Sequence, residues 1–256
     1  MKRTAMALVM FASGMIITLV AKPARAQTPV QFKASDGVTI YADYYPAKVS
    51  SQPMILLFHQ AHSNRYEYST IAPRLESLGF SCLATDQRFG GTMFGEDNET
   101  DAHMSKAAAQ SHNVAGFEVD LEAALAWAHA KDPRGRVILW GSSYSASLVF
   151  VVAAKHPAEV AGVLAFSPGE YFPDHPTLIE DAAKKIHVPV FITSENSADA
   201  VANATKIFDA VASSHKVHYS AKYAVHGSST LLADRNPKGA NVTWQVVMKF
   251  LTQFEK

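Results

Sequence analysis

The stretch Arg136-Val137-Ile138-Leu139-Trp140-Gly141-Ser142-Ser143-Tyr144-Ser145-Ala146-Ser147 decides the architecture of this chain. An apolar run of strand character leads into Gly-x-Ser-x-small, and a helical pattern of small and apolar residues follows over 146–155. When a strand turns sharply into a helix, large side chains two positions before and after the bend would collide. Gly141 and Ser145 occupy those positions. The residue at the bend, Ser143, is then held at a helix N-terminus, whose free amides favour negative charge beside it. That makes Ser143 a candidate nucleophile. Ser142 and Ser145 read as spacers, although any of the three serines could also serve simply as a helix N-cap.

Outward from this unit the chain alternates strand-like and helix-like segments. Residues 38–45 are β-rich, and 54–58 form a short apolar run between Pro53 and His59. Residues 66–78 place Ile71, Leu75 and Leu78 on one helical face, with Gly79 as the stop, and 81–85 form a strand ending at Asp86. The longest helical pattern is 113–130, with Val114, Phe117, Leu121, Leu125 and Ala128 at helical spacing, and 132–135 is a turn. Downstream, strands are predicted at 163–166, 189–193 and 217–221, and helices at 200–212 and 242–254, the last capped by Asn241. Short strands, apolar on both faces and separated by helices, predict an α/β fold with a mostly parallel central sheet flanked by helices on both faces. Segment 90–111, rich in glycine and acidic residues, reads as a long loop without structure of its own.

The 256 residues carry 23 basic and 23 acidic side chains, 48% hydrophobic residues and one cysteine. That supports one large domain, excludes a disordered chain and a disulfide framework, and leaves no basic footprint for nucleic acid. Residues 1–26 read as a cleavable signal peptide: Lys2-Arg3, an apolar run over 5–20, then Ala24-Arg25-Ala26. The expected product, cut after Ala26, is a single domain over 27–256, periplasmic or secreted, with no stable membrane anchoring; an uncleaved anchor is the alternative reading of the leader. The leader holds Lys2, Arg3, Lys22 and Arg25, so the remainder has 19 basic against 23 acidic residues and a net charge of −4. No histidine pair has metal-binding spacing backed by carboxylates, and no metal or cofactor is expected.

Four local patterns occur in a telling order: Leu56-Leu57-Phe58-His59-Gln60-Ala61, then Gly79-Phe80 leading to Asp86-Gln87-Arg88, then Gly141-Ser142-Ser143-Tyr144-Ser145, then His226-Gly227. Together they resemble the α/β-hydrolase superfamily, in particular its small esterase and dienelactone-hydrolase-like members, from about Phe32 to Phe254. The resemblance implies a Ser-acid-His relay in that chain order, acting on a small-molecule ester through an acyl-enzyme. It implies Ser143 as nucleophile and His226, in the loop after the last strand, as base. The acid should follow the strand at 189–193, where Glu195 and Asp199 both qualify. The family's usual distance past the strand favours Asp199, whose alternative role is a helix N-cap. The oxyanion donors implied are the backbone N–H groups of Tyr144 and Ala61. Where relatives have His-Gly, this chain has His59-Gln60, with His59 expected to be structural and Glu67-Tyr68 to brace the oxyanion loop.

Only about 20 residues separate the strands near 166 and 189, which predicts a minimal cap and an open site, with 169–173 as an aromatic wall. Asp86 and Arg88 are expected to pair with each other, and Cys82 to be an inert buried thiol. A serine peptidase or acyltransferase on the same fold, and a non-catalytic binding protein, are the competing readings; Gln60 and Ser145 in place of glycines keep the last one open.

Overall fold

A computed structural model describes residues 27–48, 52–105, 114–132 and 134–255. The signal-peptide reading of 1–26 lies outside the described residues, as does 106–113, which takes in the end of the segment predicted as loop and the predicted start of the long helix. Eight strands form one sheet: β1 (Thr28–Lys33), β2 (Thr39–Tyr45), β3 (Met54–Phe58), β4 (Cys82–Thr85), β5 (Val137–Ser142), β6 (Val160–Phe166), β7 (Val190–Thr193) and β8 (Lys216–Tyr219). Their order is β1-β2-β4-β3-β5-β6-β7-β8. Strands β3 to β8 pair in parallel, while β1 and β2 join the β4 edge antiparallel. The helices are α1 (Ile71–Ser77), α2 (Glu99–His103), α3 (Val114–Lys131), α4 (Tyr144–Lys155), α5 (Leu178–Ala183), α6 (Ala198–Ala210) and α7 (Ala240–Leu251).

The central strands are apolar throughout because both faces are covered. Side chains of a strand alternate between faces, and β3 and β5 split accordingly. Leu56, Phe58 and Leu139 pack with α3, α4, α5 and α6 on one side. Ile55, Leu57, Ile138 and Trp140 pack with α1 and α7 on the other. Each fully buried large side chain contributes about 1.5–3 kcal/mol. Cys82 is fully buried in β4, as expected.

The differences from the sequence reading have local causes. The helix predicted at 66–78 is a 3₁₀ turn, Arg65–Tyr68, followed by α1. Pro73 has no N–H for the Ser69 carbonyl, so the helix restarts at Ile71 and keeps the proline in its first turn. Strand β1 was not predicted because it lies at the sheet edge and is largely exposed. The closing helix begins at Ala240, with Gly239 rather than Asn241 at the cap position. The described part of the predicted loop is ordered by side chains. Asn98 caps α2 by accepting from the Asp101 amide at 2.8 Å. The Asn64 amide donates to the carbonyls of Gly91, Met93 and Glu96 at 3.2, 2.8 and 2.7 Å.

Candidate active site

The carboxyl ends of parallel strands open a crevice where α/β proteins bind ligands, and every residue that the sequence nominated follows one of these strands. Ser143 sits between β5 and α4 with φ 56° and ψ −118°, a conformation that non-glycine residues seldom adopt. Its amide donates to the Phe166 carbonyl at 2.7 Å, which fixes the bend against β6. Gly141 has no alternative there: a Cβ would lie 2.4 Å from the Ser145 carbonyl oxygen.

The His226 ring reaches this bend from the loop after β8. Its Nε2 lies 2.6 Å from Ser143 Oγ, and its Nδ1 lies 2.9 Å from Glu195 Oε1. The carboxylate on the imidazole is therefore Glu195 and not Asp199. The turn after β7 is short: Ser197 caps α6 by accepting from the Ala200 amide, and Asp199 falls in the first turn of that helix, exposed to solvent. Glu195, two residues past the strand end, has the reach that Asp199 lacks. Its other oxygen accepts from Ser167 Oγ at 2.6 Å, and Ser167 Oγ accepts the Gly227 amide at 3.0 Å. Burial pushes the Glu195 carboxyl up, but the bonds from His226 and Ser167 outweigh it and hold the group down at about 2. The bond from Glu195 raises His226 above its ordinary range against the opposing effect of burial.

On the other flank, Glu67 joins three loops. It is fully buried and accepts from the Gln60 amide at 3.0 Å, from Gln60 Nε2 at 3.2 Å and from Ser142 Oγ at 2.8 Å. Ser142 Oγ in turn accepts the amide of Ser228, two residues after His226, at 2.8 Å. Burial pushes the Glu67 carboxyl up to about 7. With the Gln60 amide committed to Glu67, Ala61 is the next amide in the loop. Ala61 and Tyr144 line one narrow slot with Phe89, Phe117, Leu121 and Leu148, with about 10 Å³ of space, near the size of one water.

His59 is structural, as expected. It is buried, its Nδ1 lies 2.7 Å from the Gln60 carbonyl, and its Nε2 accepts the Gln87 amide at 3.0 Å. Burial lowers its pKa to about 4, so the ring is neutral. Ser145 and Gln87 form a link that the sequence did not reveal. Ser145 Oγ donates to the His59 carbonyl at 2.6 Å and accepts from Gln87 Nε2 at 2.7 Å, while Gln87 Oε1 accepts the His59 amide at 3.2 Å. The hydroxyl at the position of the missing glycine thus fastens the loop after β3 to the nucleophile bend. Asp86 and Arg88 do not pair with each other. Asp86 bonds Arg65, and Arg88 bonds Asp120 at 2.7 Å and Asp36 at 2.5 Å.

Among solved structures the chain is similar to a dienelactone hydrolase from Anabaena variabilis, with 16% identity, a TM-score of 0.68, and coverage of 90% of this chain and 99% of that one. An esterase from Pyrococcus furiosus has 16% identity and a TM-score of 0.66, covering 90% and 93%. The esterase domain of a Rhodothermus marinus protein has 18% identity and a TM-score of 0.63, covering 90% and 99%. These likenesses establish the α/β-hydrolase fold. No curated protein matches the sequence. The model of the dienelactone hydrolase family matches residues 41–255, a span that contains the bend, the imidazole and the carboxylate just described, and the chain belongs to that family.

Proposed function

We propose that this protein is a serine hydrolase that cleaves a small carboxylic ester through an acyl-enzyme on Ser143, with His226 as base and Glu195 as the supporting acid. The observation that carries this reading is the unbroken line from Ser143 Oγ through His226 to Glu195, at 2.6 and 2.9 Å. A serine hydroxyl attacks a carbonyl only as a neighbouring base takes its proton. His226 Nε2 accepts that proton, and Glu195, anionic across the neutral range, stabilises the imidazolium. The negative charge on the carbonyl oxygen is met by the amides of Tyr144 and Ala61 and by the N-terminus of α4. His226 then returns the proton to the departing alcohol and later activates the water that releases the acid.

The test is labelling with a fluorophosphonate probe. The wild-type protein should label and Ser143→Ala should not; labelling that survives Ser143→Ala rejects the nucleophile. Export to the periplasm or medium belongs to the same reading and rests on the pattern of residues 1–26. N-terminal sequencing of the protein from cells that express the full chain should begin at Gln27.

A further inference from the structure

Tyr171 is the one large side chain of the loop after β6 that is both open to solvent, at 40% exposure, and in contact with the catalytic constellation. Its hydroxyl donates to the Ser167 carbonyl at 2.9 Å. It also interacts with the Ser143 side chain and feels the Glu195 charge. Two features hold it there. Ser167 has φ 62°, which lets one residue aim its carbonyl at Tyr171 and its hydroxyl at Glu195. Gly169 supplies a flat platform, since a Cβ there would lie 2.9 Å from the tyrosine ring.

Sheet order fixes which part of a substrate this hydroxyl can meet. Strands β3 and β6 flank β5 on opposite sides, so Tyr171 and Ala61 face the bend from opposite sides. The carbonyl oxygen belongs with Ala61 and Tyr144. The departing oxygen must lie near His226, which reaches the bend from beyond β6 and β7 on the same side as Tyr171.

Building on the proposed serine-hydrolase reading, we infer that Tyr171 binds the alcohol half of the ester, its hydroxyl donating a hydrogen bond to the departing oxygen while its exposed ring lines the alcohol subsite. The hydroxyl hydrogen turns from the Ser167 carbonyl to the substrate, since a phenol rotor is free to do so. No proton leaves the tyrosine. The proton on His226 Nε2 passes to the departing oxygen as the acyl C–O bond breaks, and Tyr171 shares the charge that builds before that transfer is complete. Burial and the nearby Glu195 push the phenol up to about 12, which keeps it a donor at neutral pH.

The experiment compares kcat/KM of wild type and Tyr171→Phe on two acetyl esters, 4-nitrophenyl acetate and ethyl acetate. Nitrophenolate departs without a proton, whereas ethoxide needs one. Tyr171→Phe should lower kcat/KM about tenfold or more for ethyl acetate, the scale of one hydrogen bond to developing charge, and by a distinctly smaller factor for 4-nitrophenyl acetate. Equal effects on the two esters, whether loss or no loss, overturn the assignment; a purely structural anchor would affect both alike. Hydrolysis of 4-nitrophenyl acetate also verifies that the variant is folded. If the wild type cleaves neither ester and fails to label at Ser143, the underlying hydrolase reading falls; if it cleaves both and the variant does not discriminate, only the role of Tyr171 does.

Discussion

Glu195 and Glu67 are two carboxylates near one imidazole, and their surroundings push them in opposite directions. Glu195 is held down by donated hydrogen bonds, and Glu67 is raised by burial. Glu195→Gln removes both the bond and the charge behind His226, so kcat/KM should fall about 10²–10⁴-fold. Asp199→Asn, on an exposed helix turn, should leave it nearly unchanged. The pH profile gives a second readout. His226 works as a base only when neutral, and Glu195 raises its pKa, so activity in the wild type is lost as pH falls through that raised value. In Glu195→Gln the acid limb should move to lower pH, because the ring protonates less readily. Steady-state kinetics on one ester across the neutral range measures both effects.

Glu67 makes a prediction about stability. Its folded pKa of about 7 lies above the ordinary value of 4.5, so the native state holds a proton that the unfolded chain releases. The full contribution of that proton is present below 4.5 and is lost as pH rises through 7. Glu67→Gln keeps the shape without the ionisation. Its stability relative to wild type should therefore improve as pH rises across that window, by up to about 3 kcal/mol. Urea unfolding of both proteins at either end of the window checks this.

At the scale of elements, the hydroxyl of Ser145 is what holds the loop after β3 against the start of α4. Ser145→Ala leaves the His59 carbonyl short of a strong donor and Gln87 short of an acceptor, and should cost about 1–3 kcal/mol in a urea titration. It should also slow ester cleavage, because Ala61 sits in the loop that is released. Much of this architecture was legible beforehand. The strands β3 to β7 announce themselves as short apolar runs, and the Gly141 to Ser145 spacing places the bend, since both follow from sterics that act within a few residues. The edge strand β1 and the short helix α5 carry weaker patterns, because β1 is largely exposed and α5 runs for only six residues, too few for its apolar face of Ile179, Ala182 and Ala183 to repeat. Which carboxylate meets the His226 ring is not legible in the sequence, because it depends on where α6 begins. Ser197 and Asp199 can both cap a helix, and only the fold shows that Ser197 does so. The Ser145–Gln87–His59 link was invisible for a different reason: it joins residues up to 86 positions apart through side chains that look unremarkable singly.

Across the whole molecule, two buried arginines fasten the antiparallel edge to the parallel part of the sheet and its helices. Arg65 bonds Asp86 at the end of β4, Asp43 of β2 at 3.1 Å and Glu99 of α2 at 2.5 Å. Arg88 reaches Asp36 in the β1–β2 turn and Asp120 on α3. Burial raises Asp43, Asp86 and Asp120, and the arginines offset it. Strand β4 lies inside this framework, paired with β2 on one side and β3 on the other, and it carries the single thiol of the chain.

Burial raises the Cys82 pKa well above its ordinary value, and only thiolates react quickly with disulfide reagents. Cys82 belongs to the core layer between the sheet and α1, with Ile71, Ala72 and Leu75, so exposing its sulfur requires that helix to lift from the sheet, an event that opens the core. The chain therefore contains a natural clock. Under native conditions an Ellman-type reagent should consume one equivalent of thiol at the pace at which molecules come apart, and a denaturant that hastens unfolding should hasten the colour in proportion.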